Sequence, residues 1–246
     1  KAPQKAGTLV PAASRAPGRP KLRVVLDAGH GGVDPGMVGY IVEKEVTLDV
    51  ALRVRDLLVK RGVEVILTRD RDRDLSHDKA KDLNLRAAMA NAGTVNAFVS
   101  IHVNAASPAA QGIETWVFGQ LLETHNRTLA VRENGGGDLG ERVTRETANV
   151  AGNLLGDLLA QSNLTYSRKL AQSVQKNLIR ATGAVNRGIG TAPFRVIRDA
   201  RTPAILIEVG FGTHPVEGRK LADATYRAKM AAAIADSIGD FLHADE

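Results

Sequence analysis

The chain has 246 residues, with 33 Lys and Arg, 27 Asp and Glu, and 43% hydrophobic side chains, which suits one domain with a sizeable core. It contains no cysteine, so disulfides, thiolate-bound metals, iron–sulfur clusters and thiol nucleophiles are excluded, and no apolar run approaches the ~20 residues of a membrane span. The net charge of +6 is concentrated in residues 1–23, which carry six basic side chains and no acid and leave 27 charges of each sign in the remainder. A neutral folded part with 4% aromatics disfavours a nucleic-acid partner, which would need a basic face and stacking platforms.

Residues 1–22 read as a disordered, basic Ala/Pro linker. The single domain that follows, 23–246, opens with an apolar strand, Arg23 to Asp27, which runs into the loop Ala-Gly-His-Gly-Gly. Val46, Val50, Val54, Leu57 and Leu58 recur at helical spacing within Glu45–Lys60, with Gly62 just past the end. Val63–Leu67 reads as a strand, Leu83–Ala92 as a helix, and Asn96–His102 as a nearly all-apolar strand of the buried parallel kind. Ile113–Phe118 alternates and reads as a fourth strand. Tyr166–Ala181 is helical, Phe194–Ile197 and Ala204–Ile207 read as strands, and Tyr226–Leu242 as a closing helix. The alternation predicts an α/β fold with a mainly parallel twisted sheet flanked by helices. Residues 119–165 interrupt it as a long polar insertion with Gly135, Gly136 and Gly137 at its middle. Within it Val143, Val150, Leu154, Leu155 and Leu158 predict a helix over Leu139–Leu159. So long a connection in one domain is often a lid or binding element.

The ionisable residues of interest sit at strand ends. His30 follows the first strand, His102 ends the third, and Glu208 ends Pro203–Glu208. Ligands of open parallel sheets bind beyond the carboxyl ends of the strands. Glu43, at the return of the loop from His30, falls on that same edge. Two histidines with one or two carboxylates suit a catalytic zinc site with an open coordination position. We assign His30, Glu43 and His102 to the metal and Glu208 to acid/base work, although spacing alone does not separate the two glutamate roles. A single histidine at a strand end is most often only hydrogen-bonded. The glycines beside His30 and the carboxylate ending Ile205-Leu206-Ile207 weigh against that here. His77, His125, His214 and His243 read as surface residues.

Leu26-Asp-Ala-Gly-His-Gly-Gly32, Glu43-Lys44, Leu67-Thr-Arg69, Ser100-Ile-His-Val-Asn-Ala105 and Ile207-Glu-Val-Gly-Phe211 occur in the order seen in zinc-dependent N-acetylmuramoyl-L-alanine amidases. Asn186-Arg-Gly188, followed by an apolar strand, adds to the resemblance, which covers about residues 23–242. It implies a zinc ion held by His30, Glu43 and His102, with Glu208 as the catalytic residue. The implied reaction is hydrolysis of the amide between N-acetylmuramic acid and L-alanine of peptidoglycan. It also implies export to the periplasm or cell envelope. Asn104 and Arg187 are candidates for substrate binding. Periplasmic members of the family carry an insertion that blocks the site until a partner protein displaces it. The 119–165 segment occupies the corresponding place, with Glu133 or Glu141 as the side chains that would reach the metal. A zinc carboxypeptidase-like peptidase is the nearest alternative, but the His-x-x-Glu ligand pair of that class is absent at His30. A non-catalytic wall-binding module is a second, and it would lack the complete set of four residues.

Overall fold

The strand β1 (Arg23–Ala28) lies between β2 (Glu64–Leu67) and β3 (Ala97–Asn104). The computed structural model describes residues 21–120, 124–153 and 158–244. Its other strands are β4 (Ile113–Phe118), β5 (Asn186–Ala192) and β6 (Ala204–Phe211), and the six-stranded sheet has the order β2-β1-β3-β6-β4-β5. The helices are α1 (Glu43–Lys60), α2 (Lys79–Met89), α3 (Thr124–Glu133), α4 (Gly137–Asn153), α5 (Leu158–Thr182), α6 (Arg195–Arg198), α7 (Pro215–Ala222) and α8 (Ala224–Leu242). Of the expected linker, residues 1–20 lie outside the described residues, as do Leu154 and Leu155 of the expected 139–159 helix.

Alternation along each strand divides the core in two. Leu26, Val99, Ile101, Ile205 and Ile207 face Val50, Val54, Leu170, Val174, Ile234 and Ile238 of α1, α5 and α8. Val25, Phe98, Leu206 and Trp116 face the other way, towards Leu83, Leu129 and Ile197 of α2, α3 and α6. On this second face the strands change character along their length. Beyond Phe98 come Ser100, His102 and Asn104, and beyond Leu206 comes Glu208, all buried. The strand order places His102 opposite Glu208, and Glu208 opposite Glu114 of β4. A row of polar groups therefore runs across three neighbouring strands at one end of the sheet.

Strands β1, β2, β3 and β6 are mutually parallel, but β4 runs antiparallel to β6 and β5 is parallel to β4. The expected mainly parallel sheet is present, with this reversed pair at one edge. One expected strand is corrected. Phe194–Ile197 belongs to the one-turn helix α6, because Asn134 accepts from the Arg195 amide and donates to the Pro193 carbonyl, which turns the chain. The edge strand is instead β5, whose Gly190 lies under the Trp116 ring; a Cβ there would come within 2.2 Å of a ring carbon. Helix α2 starts four residues before its apolar stripe because Asp78 caps it by accepting from the Lys81 amide. His214, expected on the surface, is half-buried: it accepts from the amides of Val216 and Glu217 and so caps α7, a helix the apolar pattern did not announce. His77 and His243 are exposed; the side chain of His125 lies outside the described residues.

Below the polar row lies a buried ionic knot. Asp27 accepts from Thr68, Ser100 and Arg86, and Arg86 also binds Asp82. Burial would raise the Asp27 carboxyl, but Arg86, then Ser100, pull it down to about 2 from an ordinary 3.8. A carboxyl held low in the folded state stabilises the fold above its unfolded pKa. For Asp27 this contribution is about 2 kcal/mol and is lost as pH falls from 4 towards 2. Asp27→Ala leaves only Asp82 to balance Arg86 and removes the acceptor of Thr68 and Ser100, and is expected to lower unfolding free energy by about 3 kcal/mol at neutral pH. Urea denaturation of the two proteins at pH 7 checks this, and a loss under 1 kcal/mol would contradict it.

Candidate active site

His30 adopts φ 60°, the left-handed region that non-glycine residues seldom occupy. The strain is held by two buried arginines. Arg69 donates to the carbonyls of Ala28 and Gly29, at 2.9 and 3.0 Å, and Arg86 to those of Ala28 and His30, at 2.7 and 2.8 Å. Lys44 fastens the next turn through the Gly32 carbonyl and Asp72. The glycines beside His30 are explained by close approach within the protein. A Cβ on Gly29 would lie 2.5 Å from the His102 ring, and one on Gly36 would lie 2.6 Å from Glu43 Oε2.

The loop and strand ends bring His30, Glu43 and His102 together, and α3 adds Glu133; one ligand atom from each lies within 4.8 Å of all the others. Glu43 opens α1 and is held by the amides of Met37 and Val103, both at 2.8 Å. Its Oε1 stands 3.2 Å from His30 Nε2 and 3.2 Å from His102 Nδ1. Glu133 Oε2 stands 3.3 Å from His30 Nε2 and 2.7 Å from His102 Nδ1. His30 Nε2, His102 Nδ1 and Glu133 Oε2 are buried and make no hydrogen bond. Buried polar atoms are normally satisfied. Three such orphans, converging with the Glu43 carboxylate so that two imidazoles and two carboxylates face one point, fit a divalent metal of the zinc type.

Glu208 lies next to this cluster, fully buried, with Oε1 3.5 Å from Arg132 and Oε2 without a hydrogen bond. Burial, then the Glu133 carboxylate, keeps its carboxyl well above the usual range against the pull of Arg132 and His102. For His102, burial acts downwards, but Glu133 and Glu43 outweigh it and raise the ring to about 9. Asn104 donates to Glu114, and its Oδ1 accepts from Arg132. Arg187 reaches the other oxygen of Glu114 at 2.7 Å and stacks over Phe211. Asn104 and Arg187 are thus joined through a carboxylate that the sequence reading passed over, although the alternation of Ile113–Phe118 puts Glu114 on the face of Trp116.

The insertion supplies two more groups. Arg132 donates to Glu133, to Asn104 and to the Ala105 carbonyl, and lies against Glu208. No sequence signal marked it beyond its place beside Glu133. Glu141 is far less involved: it pairs with Arg127 on the exposed surface. A cavity of about 430 Å³ remains, lined in part by His30, Asp34, Glu43, Lys79, Arg132 and Gly135.

A three-layer α/β domain whose strand ends carry a His/Glu cluster that could hold a metal ion, beside a buried carboxyl held well above its usual range, has the groups of a hydrolase gathered at one edge. A family model described as N-acetylmuramoyl-L-alanine amidase matches residues 24–240. The amidase AmiA of Escherichia coli is 29% identical over 225 residues, covering 89% of this chain and 76% of AmiA. The solved N-acetylmuramoyl-L-alanine amidase of Clostridium difficile has 28% identity and a TM-score of 0.67, covering 92% of this chain and 99% of that one. The CwlD amidase of Clostridioides difficile, solved in complex with the GerS lipoprotein, has 26% identity and a TM-score of 0.68, over 92% and 100% of the chains. The chain belongs to the N-acetylmuramoyl-L-alanine amidase family. It is a peptidoglycan hydrolase that cleaves the amide between N-acetylmuramic acid and L-alanine, and the peptidase and binding-module alternatives fall away.

Gly29→Ala tests whether the loop sets the cluster. The methyl group displaces the His102 ring, so metal uptake is expected to fall at least ~10-fold while the fold survives. Titration with zinc against a chromophoric chelator reads it, and unaltered uptake would refute the dependence.

Proposed function

We propose that the amidase is zinc-dependent, with His30, Glu43 and His102 holding the ion and Glu208 acting as general base and then general acid. The observation that carries this reading is the convergence of the four ligand atoms within 4.8 Å, three of them buried without a hydrogen bond. Bound zinc supplies Lewis acidity, lowering the pKa of a water towards ~7 and polarising the substrate carbonyl. Glu43, fixed by two backbone amides, gives the cluster its rigid carboxylate. Glu208 takes the proton of the attacking water and later delivers it to the departing L-alanine amine. Its burial favours the protonated form needed for that second step. Asn104 and Arg187, linked through Glu114, bind and orient substrate at the adjoining end of the sheet.

In the resting state the 119–165 insertion covers this machinery. With a metal held by the cluster, Glu133 would lie where substrate has to approach it, and Arg132 engages Asn104 and Glu208, the groups assigned to substrate and to proton transfer. Glu141 takes no part, since it is exposed and paired with Arg127. Activation then requires a partner protein that grips the insertion and draws α3 away. That a similar amidase, CwlD, was solved in complex with a lipoprotein supports a protein partner for this fold. A peptidoglycan substrate supports a location in the periplasm or cell envelope; no described helix is long and apolar enough to cross a membrane.

Three measurements test the proposal. Purified protein is expected to hold about one zinc per chain and to release no muropeptide stem peptides after chelation, as mass analysis of digested peptidoglycan will show. Activity that survives metal removal would sink the mechanism. Glu208→Gln should retain zinc and lose at least ~100-fold in turnover; loss of the metal in that variant would exchange the roles of Glu43 and Glu208. Glu133→Gln should raise basal activity without partner, as should deletion of residues 121–162. A folded variant no faster than the parent would remove the autoinhibitory role.

A further inference from the structure

We infer that Asp34 is a positioning residue for His30: its carboxylate fixes the ring tautomer that presents Nε2 to the metal, and Lys79 holds that carboxylate in place. The inference rests on the zinc reading above and concerns a contact outside the four ligands. His30 Nδ1 lies 2.9 Å from Asp34 Oδ2. An ionised carboxylate can only accept, so the proton of this contact belongs to Nδ1. In the neutral ring Nε2 then carries the lone pair. Nε2 is the buried nitrogen without a hydrogen bond that faces Glu43 and Glu133.

The placement of Asp34 is built into the backbone. Gly31 and Asp34 exchange both amide-to-carbonyl hydrogen bonds, at 2.9 and 3.1 Å, which closes a four-residue loop directly after His30. Asp34 Oδ1 accepts from the Gly36 amide at 3.0 Å, which sets the carboxylate plane. Lys79, on the first turn of α2, donates to the same Oδ2 that faces His30. The turn between α3 and α4 packs over it, since a Cβ on Gly135 would lie 3.2 Å from Lys79 Cγ.

The two histidines are held by different devices. His102 presents Nδ1, and among the described residues no carboxylate meets its other nitrogen. Its ring is wedged against Gly29 instead. His30 has a strained backbone and a ring whose role depends on which nitrogen is protonated, and Asp34 supplies that choice. Outer carboxylates on metal-bound histidines also raise ligand basicity, and their removal commonly costs 10–100-fold in metal affinity.

The sharpest variant is Asp34→Asn. Turned one way, its amide NH2 opposes both the His30 Nδ1–H and Lys79; turned the other, it opposes the Gly36 amide. Relief in the first case shifts the His30 proton to Nε2 and caps the ligand atom. Zinc affinity, measured on the full chain by chelator competition, is expected to weaken 10–100-fold in Asp34→Asn and Asp34→Ala, with near-ultraviolet circular dichroism unchanged. Proton–nitrogen correlation spectra of the zinc-loaded parent should place the His30 ring proton on Nδ1. Zinc affinity within twofold of the parent in folded Asp34→Asn overturns the inference. So does a ring proton on Nε2 in the parent, which needs no variant at all. A parent chain that binds no zinc defeats the metal reading itself, and this inference with it.

Discussion

Two buried guanidinium groups on three successive carbonyls set the geometry on which the site depends. Arg69 and Arg86 together hold Ala28, Gly29 and His30, the residues where β1 stops being a strand. The left-handed backbone at His30 costs about 1–2 kcal/mol and persists only if its surroundings over-determine it. Arginine suits the task because its planar fork offers five donors and keeps its charge when buried. The Arg86 charge is compensated one layer down by Asp27 and Asp82. Loop, ionic knot and catalytic edge therefore form one unit. A change at Asp27 is felt, through Arg86, in the carbonyls that aim His30.

The site gathers several ionisable groups away from water, which is tolerable only because they answer one another. The Glu43 and Glu133 carboxylates face the two imidazoles, and Arg132 offsets what remains of the Glu133 and Glu208 charge. Glu208 is the least compensated, and its raised pKa records this. The reversal of β4 and β5 adds the last elements. Because these strands run the other way, their beginnings, Glu114 and Arg187, arrive at the edge where β1, β3 and β6 end. Glu114 and Arg187 thus reach the site from the beginnings of strands, without any further loop.

Much of this was legible in the amino-acid sequence, and the remainder was hidden for identifiable reasons. Apolar runs ending in His30, His102 and Glu208 announced three parallel strands and their common edge, since parallel strands buried on both faces have little choice of composition. Strand β5 was silent because it needs glycine under Trp116 and so lacks the branched residues that mark strands. Phe194–Ile197 spoke too loudly: four residues that fill the core as a helical turn look like a short strand. Arg69 and Arg86 resembled ordinary polar positions, because a single chain does not reveal that a charge has found buried carbonyls. The sequence also left Glu133 and Glu141 equivalent, and only packing separates a side chain against two imidazoles from one in solvent.

The direction of β4 has a mechanical consequence for the insertion. The strand leaves the catalytic edge and delivers the chain to the opposite side of the sheet, roughly 20 Å away over its six residues. Helix α3 must climb back, and its ten residues rise roughly 15 Å to bring Glu133 level with His102. It leans on β5 as it does so, through the Asn126 amide and the Thr191 carbonyl. The helix therefore acts as a ruler with a phase. One residue added or removed turns its tip by about 100° and carries the carboxylate off the imidazoles, whereas a whole turn restores the heading but overshoots the height. Loops elsewhere in the fold can drift in length, but this segment is held to a length and a rotation together.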